Sequence, residues 1–170
     1  WYWVWPNGAR TVKLTIKLDI VSPGGNGRAI ESAENIAANT RFGVEKALWY
    51  SGKDIQAEFN RQVLAKNKTG RLYLRRIKGG ARRRHIASAP GETPANRTGA
   101  YRKGFGFSVD GAHQLTIGVE AVGSGPSSKY PLYLEVGTRR MKPRPGLANS
   151  IRASERDIIR NLSGEIEGAL

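Results

Sequence analysis

Positive charge is concentrated in one segment of this 170-residue chain, which limits how that segment can fold. Residues 66–103 contain twelve lysines and arginines and one acid, Glu92, so they carry +11 of the formal net charge of +14. Such a density of like charge repels itself in a compact unit unless anionic groups lie nearby. Gly79-Gly80 and the Pro- and Gly-containing run 88–94 also interrupt helices and central strands. We predict a long basic loop or arm over 67–103, either solvated or ordered by neighbouring chains or nucleic acid.

Alternation of apolar and polar residues predicts two β-hairpins. The first spans 1–21 around the turn Asn7-Gly8, and the second spans 104–122 around Asp110-Gly111. The first hairpin begins with three tryptophans at period two, which carry more apolar area than a free tail should expose. These residues are Trp1, Trp3 and Trp5. They either cover the domain's own core or anchor on another subunit.

Helical spacing of apolar residues predicts two main helices. The first covers 28–66, as one helix or as two broken near Gly43 or Gly52, and the second covers 145–168. A short helix from Tyr130 should end at Gly137. We therefore predict a single α+β domain over 1–170, in which a small, mainly antiparallel sheet packs on the long helix and the C-terminal helix.

The residue types needed for common catalytic and metal sites are scarce. The chain has no cysteine, and neither His85 nor His113 has a second ligand at metal-binding spacing. The glycines at 24–27 lack the Lys and Ser/Thr of a phosphate loop, and no serine lies in a nucleophile elbow. No apolar run approaches the ~20 residues of a membrane span. We expect no enzymatic activity, no cofactor, no metal and no membrane partner.

Three segments together resemble the tail-component family of long-tailed double-stranded-DNA bacteriophages, whose members are tail completion or head–tail joining proteins. They are residues 68–73, leading into the arginine run; 87–102; and 130–138 with 141–145. The second is similar to the family's Ala-Pro-Gly-Glu-x-Pro-Ala-x-x-Thr-Gly-x-Leu stretch, with Tyr101 at the usual leucine. The third is similar to Tyr-x-x-Tyr-x-Glu-Phe-Gly-Thr…Pro-x-Arg-Pro, although Val136 and Gly146 stand where aromatic residues are frequent. The resemblance covers roughly residues 28–170.

The resemblance implies a structural virion protein of the neck or tail, found in the host cytoplasm during assembly. It would form a ring, of six subunits or alternatively twelve, that joins the DNA-filled head to the tail tube and contacts other neck and tail proteins. A closed ring needs two unlike patches on each subunit, which the N-terminal hairpin and the basic arm could supply. We assign the motif residues to the fold rather than to binding. They are Gly70, Pro90, Gly99, Tyr130, Tyr133, Glu135, Gly137, Thr138, Pro143 and Pro145.

An alternative is a nucleic-acid-binding module that uses the arm on the phosphate backbone. Its arginines would give strongly salt-dependent binding, and Tyr73, Tyr101 and the tryptophans could stack on bases. The candidate contact residues are Arg71, Arg75, Arg76, Arg82, Arg83 and Arg84. The two hypotheses overlap if the arm faces DNA that passes through the lumen of a ring.

Overall fold

The computed structural model describes residues 12–17, 27–76, 80–110, 114–120 and 130–168. Its elements, in chain order, are β1 (Val12–Lys17), α1 (Gly27–Leu64), β2 (Leu72–Arg76), β3 (Arg82–Ile86), α2 (Ala100–Lys103), β4 (Phe105–Asp110), β5 (Gln114–Val119), α3 (Tyr130–Val136) and α4 (Gly146–Glu167). Helices and two small antiparallel sheets form an α+β fold with a long helix and a C-terminal helix, as the sequence predicts.

The larger sheet has the strand order β1-β5-β4, and both of its strand pairs are antiparallel. The central strand, β5, buries Leu115, Ile117 and Val119 in the core. In β4 half-buried and exposed residues alternate, which matches the alternation read from the sequence. β1 pairs with β5, whereas the rest of the predicted N-terminal hairpin, at 1–11 and 18–21, lies outside the described residues.

α1 is one continuous helix without a break at Gly43 or Gly52. Both glycines instead permit a close approach: a Cβ at Gly52 would lie 2.5 Å from the Phe107 ring, and one at Gly43 would lie 3.0 Å from the Glu165 carbonyl oxygen. The buried stripe of α1 therefore contacts both the sheet and α4. The main core residues of α1 are Val44, Leu48, Ile55, Phe59 and Val63.

α4 runs back along α1 in the opposite direction. Lys46 Nζ of α1 lies 2.8 Å from Glu165, and Asn161 Nδ2 of α4 donates a 2.9 Å hydrogen bond to Asp54. The small residues Ser150 and Ser154 are buried on α4, so the two helix backbones can approach closely. This helix pair and the sheet together enclose the apolar core.

The basic segment is more regular than the sequence analysis predicts. Residues 67–103 are not a loop throughout, because they contain the two-stranded sheet β2–β3 and the short helix α2. The strands escape detection because described residues on both faces of this hairpin are exposed, so no buried face imposes an apolar-polar alternation. The Pro- and Gly-containing run 88–94 follows the hairpin and is irregular, as expected.

Candidate functional site: a basic hairpin and two exposed aromatic surfaces

The β2–β3 hairpin, residues 72–76 and 82–86, is an antiparallel ribbon that continues into the body of the protein through backbone bonds. At its base, Gly70 N donates to Ala87 O and Ala87 N donates to Arg71 O, each at 3.0 Å. A Cβ at Gly70 would lie 2.6 Å from the same Ala87 oxygen, so the close backbone approach requires glycine. The base of the hairpin is thereby fixed, and its far end lies at Arg76 and Arg82.

The two faces of the hairpin differ in chemistry. Side chains alternate along a strand, so one face presents an apolar base followed by three arginines toward the far end. The members of this face are Leu72, Leu74, Ile86, Arg76, Arg82 and Arg84. The other face carries Tyr73 opposite His85, and the Arg71 guanidinium lies 5.6 Å from the centre of the Tyr73 ring. All of these residues are exposed except His85, which is half-buried; Leu74 is 62% exposed.

The register of the hairpin places arginines directly opposite one another on its two strands. Arg76 and Arg82 are direct cross-strand neighbours, as are Arg75 and Arg83. The ion pairs among the described side chains are Lys46–Glu165, Glu58–Arg61 and Asp157–Arg160, and none of them includes Arg71, Arg76, Arg82 or Arg84. Directly opposed like charges destabilise a strand pair, so an anion that binds here would relieve an existing repulsion.

The candidate contact residues are the six arginines and the three N-terminal tryptophans. The structure does not describe the side chains of five of these nine residues. The side chains of Arg75 and Arg83 are outside the description, although their register is given. Trp1, Trp3 and Trp5 lie outside the described residues altogether. The structure therefore brings Arg71, Arg76, Arg82 and Arg84 onto one hairpin and leaves the role predicted for the tryptophans open.

The three segments that carry the family resemblance meet in space, at what we call the motif junction: residues 69–70, 87–94 and 134–149. Its first link is the Glu92 carboxylate, which accepts hydrogen bonds from the Thr69 hydroxyl and, at 2.8 Å, from Ala89 N. The Thr69 hydrogen bond is the main reason that the pKa of Glu92 lies below its ordinary value. Glu92 thus joins the first motif to the second.

Hydrogen bonds join the irregular run of the second motif to the third motif and to α4. Gly91 N donates to Pro143 O at 2.9 Å, and Arg144 Nε donates to Ser88 O at 2.8 Å. Asn149 Nδ2 in α4 donates to Gly91 O at 2.9 Å. These bonds connect residues more than fifty positions apart, so they fix the irregular run after the hairpin against the start of α4.

Glu135 lies at the centre of the third motif and points inward from α3. Its carboxylate accepts hydrogen bonds from the Tyr101 hydroxyl and, at 2.8 Å, from Leu147 N in the first turn of α4. Burial raises the pKa of Glu135 above its ordinary value, and the hydrogen bonds oppose that shift only in part. Burial, together with the adjacent carboxylate, also raises the pKa of the Tyr101 hydroxyl. The pair ties α2, α3 and α4 together.

Most of the remaining motif residues shape the backbone. Gly137 ends α3 with φ +82°, and a Cβ there would lie 2.7 Å from Met141 O, so the position requires glycine. The Thr138 hydroxyl accepts hydrogen bonds from Arg140 N and Met141 N in the turn that follows. Pro145 immediately precedes α4, Gly99 (φ +80°) precedes α2, and Pro90 is exposed in the irregular run. These placements agree with roles in the fold.

An exposed aromatic surface on α1 is absent from the sequence predictions. Phe42, Trp49 and Tyr50 are large and exposed, with Phe42 at 72%. Trp49 and Tyr50 pack edge to face with ring centres 5.4 Å apart, and Lys53 Nζ lies 4.9 Å from the Trp49 ring centre. The sequence could have indicated this surface, because the spacing of positions 42, 49 and 50 places three apolar residues on one side of the helix, beside the buried stripe.

A second exposed aromatic surface lies on α3. Tyr130, Tyr133 and Val136 are exposed, whereas Pro131 and Leu134 of the same helix are buried. In the motif Tyr-x-x-Tyr-x-Glu, the two tyrosines are therefore exposed, whereas the glutamate forms hydrogen bonds inside the motif junction. Tyr130 and Tyr133 are exposed side chains of α3, and the role in the fold assigned to them stays a prediction.

Comparison with known proteins identifies no relative: no protein-family model, no curated protein and no solved structure matches this chain. In the ranges that the structure describes, no three His, Cys, Asp or Glu side chains are grouped so that they could hold a metal ion. Within the same ranges, no helix combines the length and apolar character that a membrane span requires.

Proposed function

We propose that this protein is a non-enzymatic structural subunit of the neck or tail of a long-tailed double-stranded-DNA bacteriophage, where it assembles into a ring between head and tail tube. The observation that carries the proposal is the motif junction. The three segments that resemble the phage family bond to one another through Glu92, Arg144 and Glu135, the last of which accepts a hydrogen bond from Tyr101. The three segments therefore form one connected part of the fold, which supports interpreting them together as a family signature rather than as three unrelated short motifs.

The two exposed aromatic surfaces support assembly into a ring. Head-to-tail contacts that close into a ring need two unlike patches on each subunit. The α1 surface of Phe42, Trp49 and Tyr50 and the α3 surface of Tyr130, Tyr133 and Val136 are unlike in sequence, and both are exposed. Trp and Tyr are the residue types that dominate binding energy at interfaces, and each surface exposes at least one of them. We expect six subunits in the ring, with twelve as the alternative.

The assembly can be tested by mixing two variants that each lack one surface. Trp49→Asp should abolish the α1 patch and Tyr133→Asp the α3 patch, so each variant alone should be monomeric by native mass spectrometry. A head-to-tail contact predicts that an equimolar mixture forms one-to-one dimers through the two intact patches, and no ring. The wild-type protein should give a closed ring in the same measurement and in negatively stained images.

Ile159→Asp is the matched control, because Ile159 is also a large exposed hydrophobic residue but lies on α4, outside both surfaces. It should leave the ring intact. Monomeric wild-type protein, both when purified alone and when extracted from particles, would contradict the assembly proposal. Particles that lack this chain at the head–tail junction, as judged by antibody labelling in micrographs, would contradict the neck location.

A further inference from the structure

We infer that the β2–β3 hairpin binds duplex DNA by entering the major groove, with its arginines directed to the phosphates on either side. This site goes beyond the ring proposal and does not depend on it. The major groove of B-form DNA is about 12 Å wide and 8.5 Å deep, and it admits a two-stranded β-ribbon. The hairpin is such a ribbon, and in the part of the chain that the structure describes no third strand pairs with either edge.

The charge on the hairpin selects a polyanion as its partner. Arg71, Arg76, Arg82 and Arg84 are exposed, and none takes part in an ion pair among the described residues. The same hairpin of a second copy is a poor occupant, because its exposed arginines would repel these. Phosphates on both walls of a groove would instead separate and neutralise the opposed Arg76 and Arg82.

The distribution of side chains along the hairpin favours the groove over a flat contact. Arg76, Arg82 and Arg84 lie on one face toward the far end, and Arg71 lies beside Tyr73 on the other face, at the base of the hairpin. A flat acidic surface would engage one face only. The apolar residues Leu72 and Ile86 are cross-strand partners at the base, next to the body of the protein. The part of the hairpin that carries Arg76, Arg82 and Arg84 is therefore the part suited to insertion.

The test measures binding of the full chain to fluorescein-labelled 24-base-pair DNA by anisotropy over a series of salt concentrations. Arg82→Gln/Arg84→Gln should weaken binding at least tenfold and reduce the slope of log Kd against log salt by about 1.8, since each lost phosphate contact contributes about 0.9. The matched control is Arg152→Gln/Arg156→Gln, which removes the same charge from exposed positions on α4. It should leave the slope nearly unchanged. Because all four positions are exposed, circular dichroism should show both variants folded.

Three further probes test the groove itself. Duplex RNA of the same sequence should bind at least tenfold more weakly, because its major groove is deep and narrow. Bulky substituents at C5 of the pyrimidines occupy the major groove and should abolish binding, whereas a drug that fills the minor groove should not compete. Equal affinity for RNA and DNA, preference for single strands, or equal loss in both arginine variants would overturn the inference.

The same variants separate this inference from the proposed ring. Rings that form normally from wild-type protein without any measurable DNA binding would overturn the groove contact alone. Loss of attachment to particles in Arg82→Gln/Arg84→Gln with unchanged DNA affinity would overturn it in favour of an acidic protein partner. DNA binding by a protein that never forms rings would support the groove contact and contradict the ring.

Discussion

At the scale of single residues, Glu135 is the position where fold and chemistry are most closely linked. Glu135 is half-buried, and its carboxylate accepts hydrogen bonds from the Tyr101 hydroxyl and a backbone N–H of α4 rather than pairing with a cation. The sequence could show that Glu135 belongs to a motif. It could not show its partner, because Tyr101 is thirty-four positions away and only the tertiary structure brings the two together.

We predict that the pH dependence of stability changes in Glu135→Gln. The pKa of Glu135 in the folded protein is raised above its ordinary value of 4.5, so over the interval between the two values the folded state holds more protons than the unfolded state. The stability that Glu135 contributes is therefore full below pH 4.5 and is lost as pH rises through the folded-state pKa. Glutamine does not titrate, so urea unfolding from pH 4 to pH 8 should show the wild type losing stability relative to the variant as pH rises.

Tyr101→Phe serves as the control for this prediction. It keeps the buried carboxyl group but removes a hydrogen bond, so it should lower the free energy of unfolding by about 1–3 kcal/mol while retaining the wild-type direction of the pH dependence. A wild type that gains stability relative to Glu135→Gln as pH rises, or a difference between the two that does not change with pH, would mean that burial does not dominate at this site.

At the scale of elements, the sequence predicts those that have one buried face. α1 and α4 bury Leu48, Phe59 and Leu147 at helical spacing, and β5 buries Leu115 and Ile117 at period two. The β2–β3 hairpin lacks such a face, and its arginines mask the pattern that identifies a strand. The exposed aromatic surface of α1 was missed for a related reason: spacing shows that a stripe is apolar, but not whether another element covers it.

Two glycine-to-alanine variants test how α1 and α4 differ in packing. At Gly52 of α1 an added Cβ would lie within 2.6 Å of two Phe107 ring atoms, whereas at Gly164 of α4 nothing lies within 4 Å. Alanine favours a helix by about 1 kcal/mol over glycine, and overpacking costs about 1–3 kcal/mol. Gly164→Ala should therefore be stabilising and Gly52→Ala destabilising in urea unfolding. Stabilisation by both would mean that Phe107 moves aside freely.

At the scale of the whole molecule, the uneven charge should be visible in the response to salt. A net charge of +14 in 170 residues destabilises the folded state through self-repulsion, and the Debye length shortens from roughly 30 Å at 0.01 M salt to 10 Å at 0.1 M. We predict that the Tm rises between 10 and 300 mM NaCl. Arg76→Gln/Arg82→Gln, which removes one opposed pair, should raise the Tm at low salt and reduce the rise. A Tm that falls with salt would contradict this account.

The separation of α1 from α4 along the chain has a consequence for synthesis. α1 is complete at Leu64, and its helical partner begins at Gly146, so at roughly 5–20 residues per second the ribosome needs about 4–16 s to make the intervening residues. During that time α1 lacks the helix that later packs along it. We expect chaperones that bind emerging apolar segments to bind α1 in the nascent chain. Slow translation of the intervening residues would lengthen the time for which α1 is exposed to them.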